Sequence, residues 1–142
     1  MSGYMLDSNV LIDVAREPDG AVGKRFQTIT NGHMGISVIV SGEIRYGMKK
    51  RPDARSNPSM AYLLSSLRID ELEPEVGDVY GDIRVQVERI GKGMSPNDLW
   101  IAAHAMVRDA VLVTSDAAIQ EANITGLRLE NWRDDIAGQE RN

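Results

Sequence analysis

Asp7, Glu43, Asp98 and Asp116 are acids set where the surrounding pattern is otherwise assembling an apolar core. A buried charge is costly unless a partner offsets it, so an acid in such a place needs a reason. Asp7 ends the apolar run Tyr4-Met5-Leu6, and Asp116 follows Val111-Leu112-Val113-Thr114-Ser115. Glu43 and Asp98 fall on the inward faces of two expected helices. Carboxylates brought together present oxygen ligands alone, which suits a hard divalent cation such as Mg2+ or Mn2+. A cation held in that way points to phosphodiester chemistry.

The elements that must hold these acids follow from hydropathy period and turn residues. Tyr4–Leu6 is expected as a buried strand, Val10–Ala15 as a brief helix stopped by Pro18, and a further helix to about Ile29. His33–Ile36 is an expected second strand, after which Ser37 caps a helix through Met48 whose end is complemented by Lys49-Lys50-Arg51. Arg51–Pro58 is the most polar stretch and is expected as a loop, with Met60–Leu67 helical and Ile69–Leu72 a third strand. Val76, Val79, Tyr80, Ile83, Val87 and Ile90 recur at helical spacing, so Glu75–Ile90 is expected as an amphipathic helix. Ser95-Pro96 opens the next helix, to about Arg108, with a capping serine and a proline at the first helical position. Val111–Val113, a short helix Ala117–Ala122 and a fifth strand Leu127–Leu129 complete the expectation.

Strands alternating with helices imply an α/β domain, its four- to five-stranded, mostly parallel sheet flanked by helices. Residues 1–134 form that one domain, and 135–142 are expected as a flexible C-terminal tail. Ligands of such sheets bind at the carboxyl edge of the strands, where the helices begin. Asp7 and Asp116 follow strands, Asp98 lies in the first turn of its helix and Glu43 in the second turn of another, so all four reach one rim.

Each acid also has a plainer use. Asp7 could cap the helix after it, although Ser8 and Asn9 already offer capping groups. Glu43 has Ile39, Val40, Tyr46 and Gly47 three and four residues away, an apolar stripe that a solvated carboxylate would not choose. Gly42 and Gly47 weaken that helix and would be tolerated where a strand or substrate must come close. Ser95 and Asp98 have capping-box spacing, yet Asp98 shares the buried face of Ile101, Ala102 and Ala105, so both roles stand open. Capping is equally open to Asp116. His104 falls on the face of Trp100 and Arg108, where a partner or dimer contact is expected, and His33 is expected to open a strand as a structural residue.

Composition narrows the chemistry. With 142 residues, 42 % of them hydrophobic, the chain has room for a real core. It has no cysteine and only two histidines, which excludes disulfides, thiolate metal sites and cysteine nucleophiles. No run approaches the length of a membrane span and the N-terminus has no signal-like pattern, so a cytoplasmic protein with no membrane partner is expected. The net charge of −5 weighs against a nucleic-acid partner, but the basic residues cluster at Lys24-Arg25 and at Lys49-Lys50-Arg51 with Arg55.

With these residues placed, the chain resembles the PIN-domain ribonucleases, and more closely the VapC toxins of bacterial toxin–antitoxin pairs. The resemblance spans nearly the whole chain. It rests on Met5-Leu6-Asp7-Ser8-Asn9-Val10-Leu11-Ile12, on Ile36-Ser37 leading to Gly42-Glu43-Ile44-Arg45-Tyr46-Gly47, and on Ser95-Pro96-Asn97-Asp98-Leu99-Trp100-Ile101-Ala102-Ala103-His104-Ala105. Leu112-Val113-Thr114-Ser115-Asp116 and Gly126-Leu127-Arg128-Leu129-Glu130-Asn131-Trp132 follow in order. It implies a parallel sheet between helices, an Mg2+ or Mn2+ site at Asp7, Glu43, Asp98 and Asp116, and endonucleolytic cleavage of RNA, with tRNA or rRNA as candidate substrates. It also implies a homodimer and inhibition by a small VapB-type antitoxin. The chain departs from the pattern at Ser8, where threonine is common, and at Ser115, where asparagine is usual. The aromatic residue often found after Asp116 is also missing, with Ile119-Gln120-Glu121 in that region.

Mg2+ keeps several waters and takes one or two protein carboxylates directly, so Asp7 and Asp98 are the expected metal ligands, with Glu43 and Asp116 acting through water or a second ion. A signalling receiver domain would need an adjacent acid pair after the first strand and a late lysine, and Asp7-Ser8-Asn9 with Arg128 supplies neither. A haloacid-dehalogenase-like phosphatase would need an aspartate at Asn9. The stronger rival is a non-catalytic PIN-like module that only binds RNA or a partner.

Overall fold

Five short strands and seven helices follow one another in the computed structural model, which describes residues 3–134. The strands are β1 (Tyr4–Leu6), β2 (Met34–Ser37), β3 (Arg68–Asp70), β4 (Val111–Val113) and β5 (Leu129–Glu130). The helices are α1 (Ser8–Arg16), α2 (Ala21–Gln27), α3 (Val38–Lys50), α4 (Asn57–Ser66), α5 (Glu75–Arg89), α6 (Pro96–Val107) and α7 (Ala117–Glu121). The tail expected over 135–142 lies outside the described residues.

All pairings are parallel, in the order β3-β2-β1-β4-β5. Tyr4 stands opposite both Met34 and Val111, which puts β1 at the centre, with β2 and β3 added on one side of it and β4 and β5 on the other. That change of side opens a crevice at the carboxyl ends of β1 and β4, where ligands of doubly wound sheets bind. Burial on both faces explains why the inner strands read as unbroken apolar runs: Met5, Leu6, Met34, Ile36, Leu112 and Val113 are almost wholly inaccessible.

Several boundaries differ from the sequence expectation for local reasons. α1 begins at Ser8, two residues early, because Asp7 is itself the cap. α4 begins at Asn57, not Met60, since Pro58 fits the first turn and Asn57 Nδ2 donates to the carbonyl of Arg51 at 2.8 Å. β3 stops at Asp70, because the Glu71 carbonyl turns inward to accept from His104 and Arg108. β5 is displaced to Leu129–Glu130 because Gly126, at φ +85°, and the bond from Leu127 N–H to the Ile124 carbonyl spend the preceding residues on a turn. Gly35 is fixed by contact: a Cβ there would lie 2.7 Å from Asp70 Oδ2 and 2.8 Å from Arg68 Nη2.

His104 corrects an expectation outright. It is fully buried, so it makes no partner contact. Its Nε2 donates to the Glu71 carbonyl at 2.9 Å, leaving Nδ1 to accept from the Ser37 hydroxyl at 2.8 Å. That hydroxyl also accepts from Ile39 N–H at 3.2 Å, capping α3. One imidazole thus ties α6 to the start of α3 and to the chain leaving β3. His33 is exposed and ends a 3-10 turn ahead of β2, so it does not open the strand.

Burial pushes the His104 pKa below its ordinary value, against the pull of the Glu71 carbonyl and the carboxylate of Glu73, with Arg108 acting in the same direction as burial. The unfolded chain then binds more protons than the folded one below about pH 6.5. This group's contribution to stability is complete above that pH and is lost as pH falls toward the depressed value. Urea unfolding at pH 7.5 and pH 5.5 should show it as an acid-side loss present in the wild type and reduced in His104→Gln. An equal acid-side loss in both proteins would assign the effect elsewhere.

Candidate active site

Asp7 follows the central strand and is 3 % exposed. Its Oδ1 accepts from Ser8 N–H at 2.8 Å, so the acid does cap α1. Its Oδ2 accepts from the Thr114 hydroxyl at 2.8 Å and from Asn9 Nδ2 at 3.2 Å. Thr114 in turn accepts from Asp116 N–H at 3.0 Å and from Asn9 Nδ2 at 3.2 Å, while Asn9 Oδ1 accepts from Ser115 N–H at 3.2 Å. Asn9 and Thr114 therefore clamp the end of β1 to the end of β4. The sequence reading offers Asn9 only as a capping group and assigns Thr114 no role of its own. The available signal was Thr114 itself, a buried polar residue directly after an apolar strand.

Asp116 caps α7, its Oδ1 accepting from Ala118 N–H at 2.8 Å and Ile119 N–H at 3.2 Å. Asp98 is in the first turn of α6, its N–H donating to the Ser95 hydroxyl at 3.1 Å. Glu43 is half-buried on α3, where Oε2 accepts from Asn97 Nδ2 at 3.4 Å and so links α3 to the start of α6. Its Oε1 is buried without a hydrogen-bond partner. The plainer capping uses of Asp7 and Asp116 are thus real, but neither uses up the carboxylate, since each oxygen has two lone pairs. Gly42 and Gly47 do not admit a strand: a Cβ on either would meet nothing within 4 Å.

The acids sense one another. Burial is the main cause that raises the pKa of Asp7, Glu43 and Asp98 above the ordinary carboxylate range. Repulsion adds to it: Asp116 acts on Asp7, Asp7 and Asp98 act on Glu43, and Asp7 and Asp116 act on Asp98. Hydrogen bonds oppose it, from Thr114, Ser8 and Asn9 at Asp7, from Asn97 at Glu43 and from Ser95 at Asp98.

Among the described residues no three acids or histidines are arranged so that they could hold a metal ion as they stand. The donor set nonetheless fits a hydrated hard cation: oxygen donors only, mutual repulsion that a cation would relieve, and a buried Glu43 oxygen lacking a partner. The two histidines lie elsewhere, His104 buried on α6 against Ser37 and the Glu71 carbonyl and His33 on the surface.

Comparison with known proteins agrees with this geometry. The PIN domain family matches residues 4–124. Ribonuclease VapC2 of Rickettsia felis is 35 % identical over 132 residues, 91 % of this chain and 97 % of that protein. The tRNA(fMet)-specific endonuclease VapC of Shigella flexneri is 32 % identical over 134 residues, covering 93 % and 99 %. Among solved structures, VapBC2 of Rickettsia felis bound to a promoter DNA fragment contains a chain superposing with a TM-score of 0.79 at 31 % identity, over 91 % of this chain and 98 % of that one. DNA-bound VapBC from Salmonella typhimurium gives 0.80 at 30 % identity, over 93 % and 99 %. A parallel sheet with acids gathered at its carboxyl edge, matched along nearly its full length by these relatives, places the chain in the PIN-domain family, among the VapC ribonucleases.

Proposed function

We propose that the protein is the toxic member of a type II toxin–antitoxin pair, a divalent-metal-dependent endoribonuclease that hydrolyses RNA phosphodiester bonds at Asp7, Glu43, Asp98 and Asp116. The observation that carries the reading is the set of mutually repelling carboxylates at the β1–β4 crevice, with Glu43 Oε1 buried and unpartnered. Asp7 and Asp98 are the proposed ligands of Mg2+ or Mn2+, with Asp116 and Glu43 acting through water. When bound, such an ion would polarise the scissile phosphate, acidify the attacking water and offset charge developing on the phosphoryl oxygens. Glu43 Oε1, buried without a partner, would be free to take a proton from that water. Thr114, Asn9 and the Ser8 amide hold Asp7 in place, and Asn97 does the same for Glu43.

The relatives are named for RNA cleavage, one of them for tRNA(fMet), which supports RNA as the substrate and makes tRNA the class to test first. The related complexes pair such a chain with a second component in VapBC, which supports a VapB-type antitoxin as partner. A homodimer and a cytoplasmic location belong to the same reading; no helix of the described residues is long and apolar enough to cross a membrane.

Purified protein should cut RNA in Mn2+ and stop on chelation, whereas a non-catalytic binding module would bind RNA uncut. Asp7→Asn and Asp98→Asn should lose cleavage with an unchanged circular dichroism spectrum, since each substitution preserves side-chain volume. Thr114→Val should lower activity by roughly 10- to 100-fold, the usual cost of losing a group that orients a ligand. Full activity in the Asp7→Asn/Asp98→Asn protein would reject the site.

Without metal, the folded state binds more protons than the unfolded one between the ordinary carboxylate pKa, about 4, and the raised values. The stability contributed by Asp7, Glu43 and Asp98 is then complete below that window and is lost as pH rises through it. Mn2+ should restore it at neutral pH, by about 2.7 kcal/mol at a concentration a hundred times the dissociation constant. A melting temperature indifferent to millimolar Mn2+ would count against a shared site.

A further inference from the structure

Beside Glu43, residues of α1, α3 and α4 and of the loop between α3 and α4 line an open cleft of about 240 Å3. Ile12, Ile44, Met48 and Met60 give it an apolar floor, and Ser8, Glu43 and Arg51 lie on its rim. Ser8 and Glu43 therefore belong to the cavity and to the acid cluster at once, through the Ser8 amide bonded to Asp7 and through the carboxylate itself. A cavity of roughly 150 Å3 accepts a benzene-sized ring. This one has room for a nucleobase.

Charge singles out the same place. The chain carries a net −5, yet Lys49, Lys50, Arg51 and Arg55 fall within a short stretch that contains a single acid, Asp53. All four cations are exposed, and none is within ion-pair distance of an acid among the described residues. In the other basic pair Arg25 lies over the Tyr4 and Trp132 rings and 3.7 Å from Glu130, whereas in this stretch Lys50 Nζ lies 5.8 Å from the centre of the Tyr46 ring. Helix-end complementation accounts for positive charge at the end of α3, and Arg51, the residue just past that end, also lines the cavity. Gly47 lines that cavity, and with open space where its Cβ would be it leaves bare helix backbone toward whatever enters.

We propose that the cavity receives the nucleotide adjoining the scissile phosphate, with its base on the Ile44, Met48 and Met60 floor and the next phosphate on the Arg51 guanidinium. The proposal rests on the ribonuclease reading and adds to it a base-accepting subsite and a phosphate contact. A planar guanidinium without a carboxylate partner favours a phosphate-bearing strand over an apolar peptide as the occupant.

The test is fluorescence anisotropy of a short labelled single-stranded RNA, in chelator so that nothing is cut, over a series of salt concentrations, followed by cleavage kinetics in Mn2+. Arg51→Ala should weaken binding several-fold and lower the slope of log affinity against log salt by roughly 0.7, the share of one phosphate contact on a single strand. Arg51→Lys should keep the slope. Gly47→Leu should melt no lower than the wild type, because it removes a helix glycine into open space, yet should raise KM while leaving kcat nearly unchanged. Unchanged affinity, slope and KM in Arg51→Ala and Gly47→Leu, beside a wild type that cuts RNA, would overturn this proposal alone and leave the apolar floor to a protein partner. A wild type that neither binds nor cuts RNA would overturn the ribonuclease reading with it.

Discussion

The bond from the Thr114 hydroxyl to the Asp7 carboxylate is the contact on which the candidate site depends. Asp7 is almost wholly buried at the end of the central strand, where an unsatisfied acid would cost about 1–3 kcal/mol or more. Thr114 answers that cost from the neighbouring strand and, through the same oxygen, fixes the amide of Asp116. Asn9 closes the ring by reaching Asp7, Thr114 and Ser115. The register of β1 on β4 and the placing of two of the four acids are therefore one arrangement.

The remaining two acids are placed through α3 and α6, and His104 couples those helices. Its ring accepts from the hydroxyl that caps α3 while its backbone belongs to α6, and Asn97 then spans from α6 to Glu43. Packing of this kind opposes the repulsion among the carboxylates. Burial and like charge destabilise the ionised cluster, which is the expected signature of a site organised for a cation and not for its own stability. Lys49, Lys50, Arg51 and Arg55 lie at and just past the end of α3, and Arg51 lines the same cleft as Glu43, so a polyanion approaching a net-negative molecule meets positive charge beside the acids.

The sheet is legible because its inner strands are short apolar runs and because serines cap two of the helices between them. Ser37 and Ser95 cap the helices they were expected to cap, and Pro96 opens α6. The positions of Asp7, Glu43, Asp98 and Asp116 relative to strand ends were legible for the same reason. What sequence periodicity missed depended on contacts distant along the chain. His104 reads as an outward residue on a helical wheel, yet its two partners come from β2 and the segment after β3. Thr114 reads as the end of a strand until Asp7, far earlier in sequence, is beside it. The sequence places β5 too early because the hydropathy of Leu127 is the same whether it extends a strand or closes a turn.

The central claim is that the β1–β4 crevice binds a divalent cation between Asp7 and Asp98. Crystals of the wild type grown with MnCl2 and measured at a wavelength sensitive to manganese test it most directly. An anomalous peak in contact with carboxylate oxygens of both residues is the predicted result. Peaks confined to other surfaces, or none at the crevice with the acids in the arrangement described here, would contradict it.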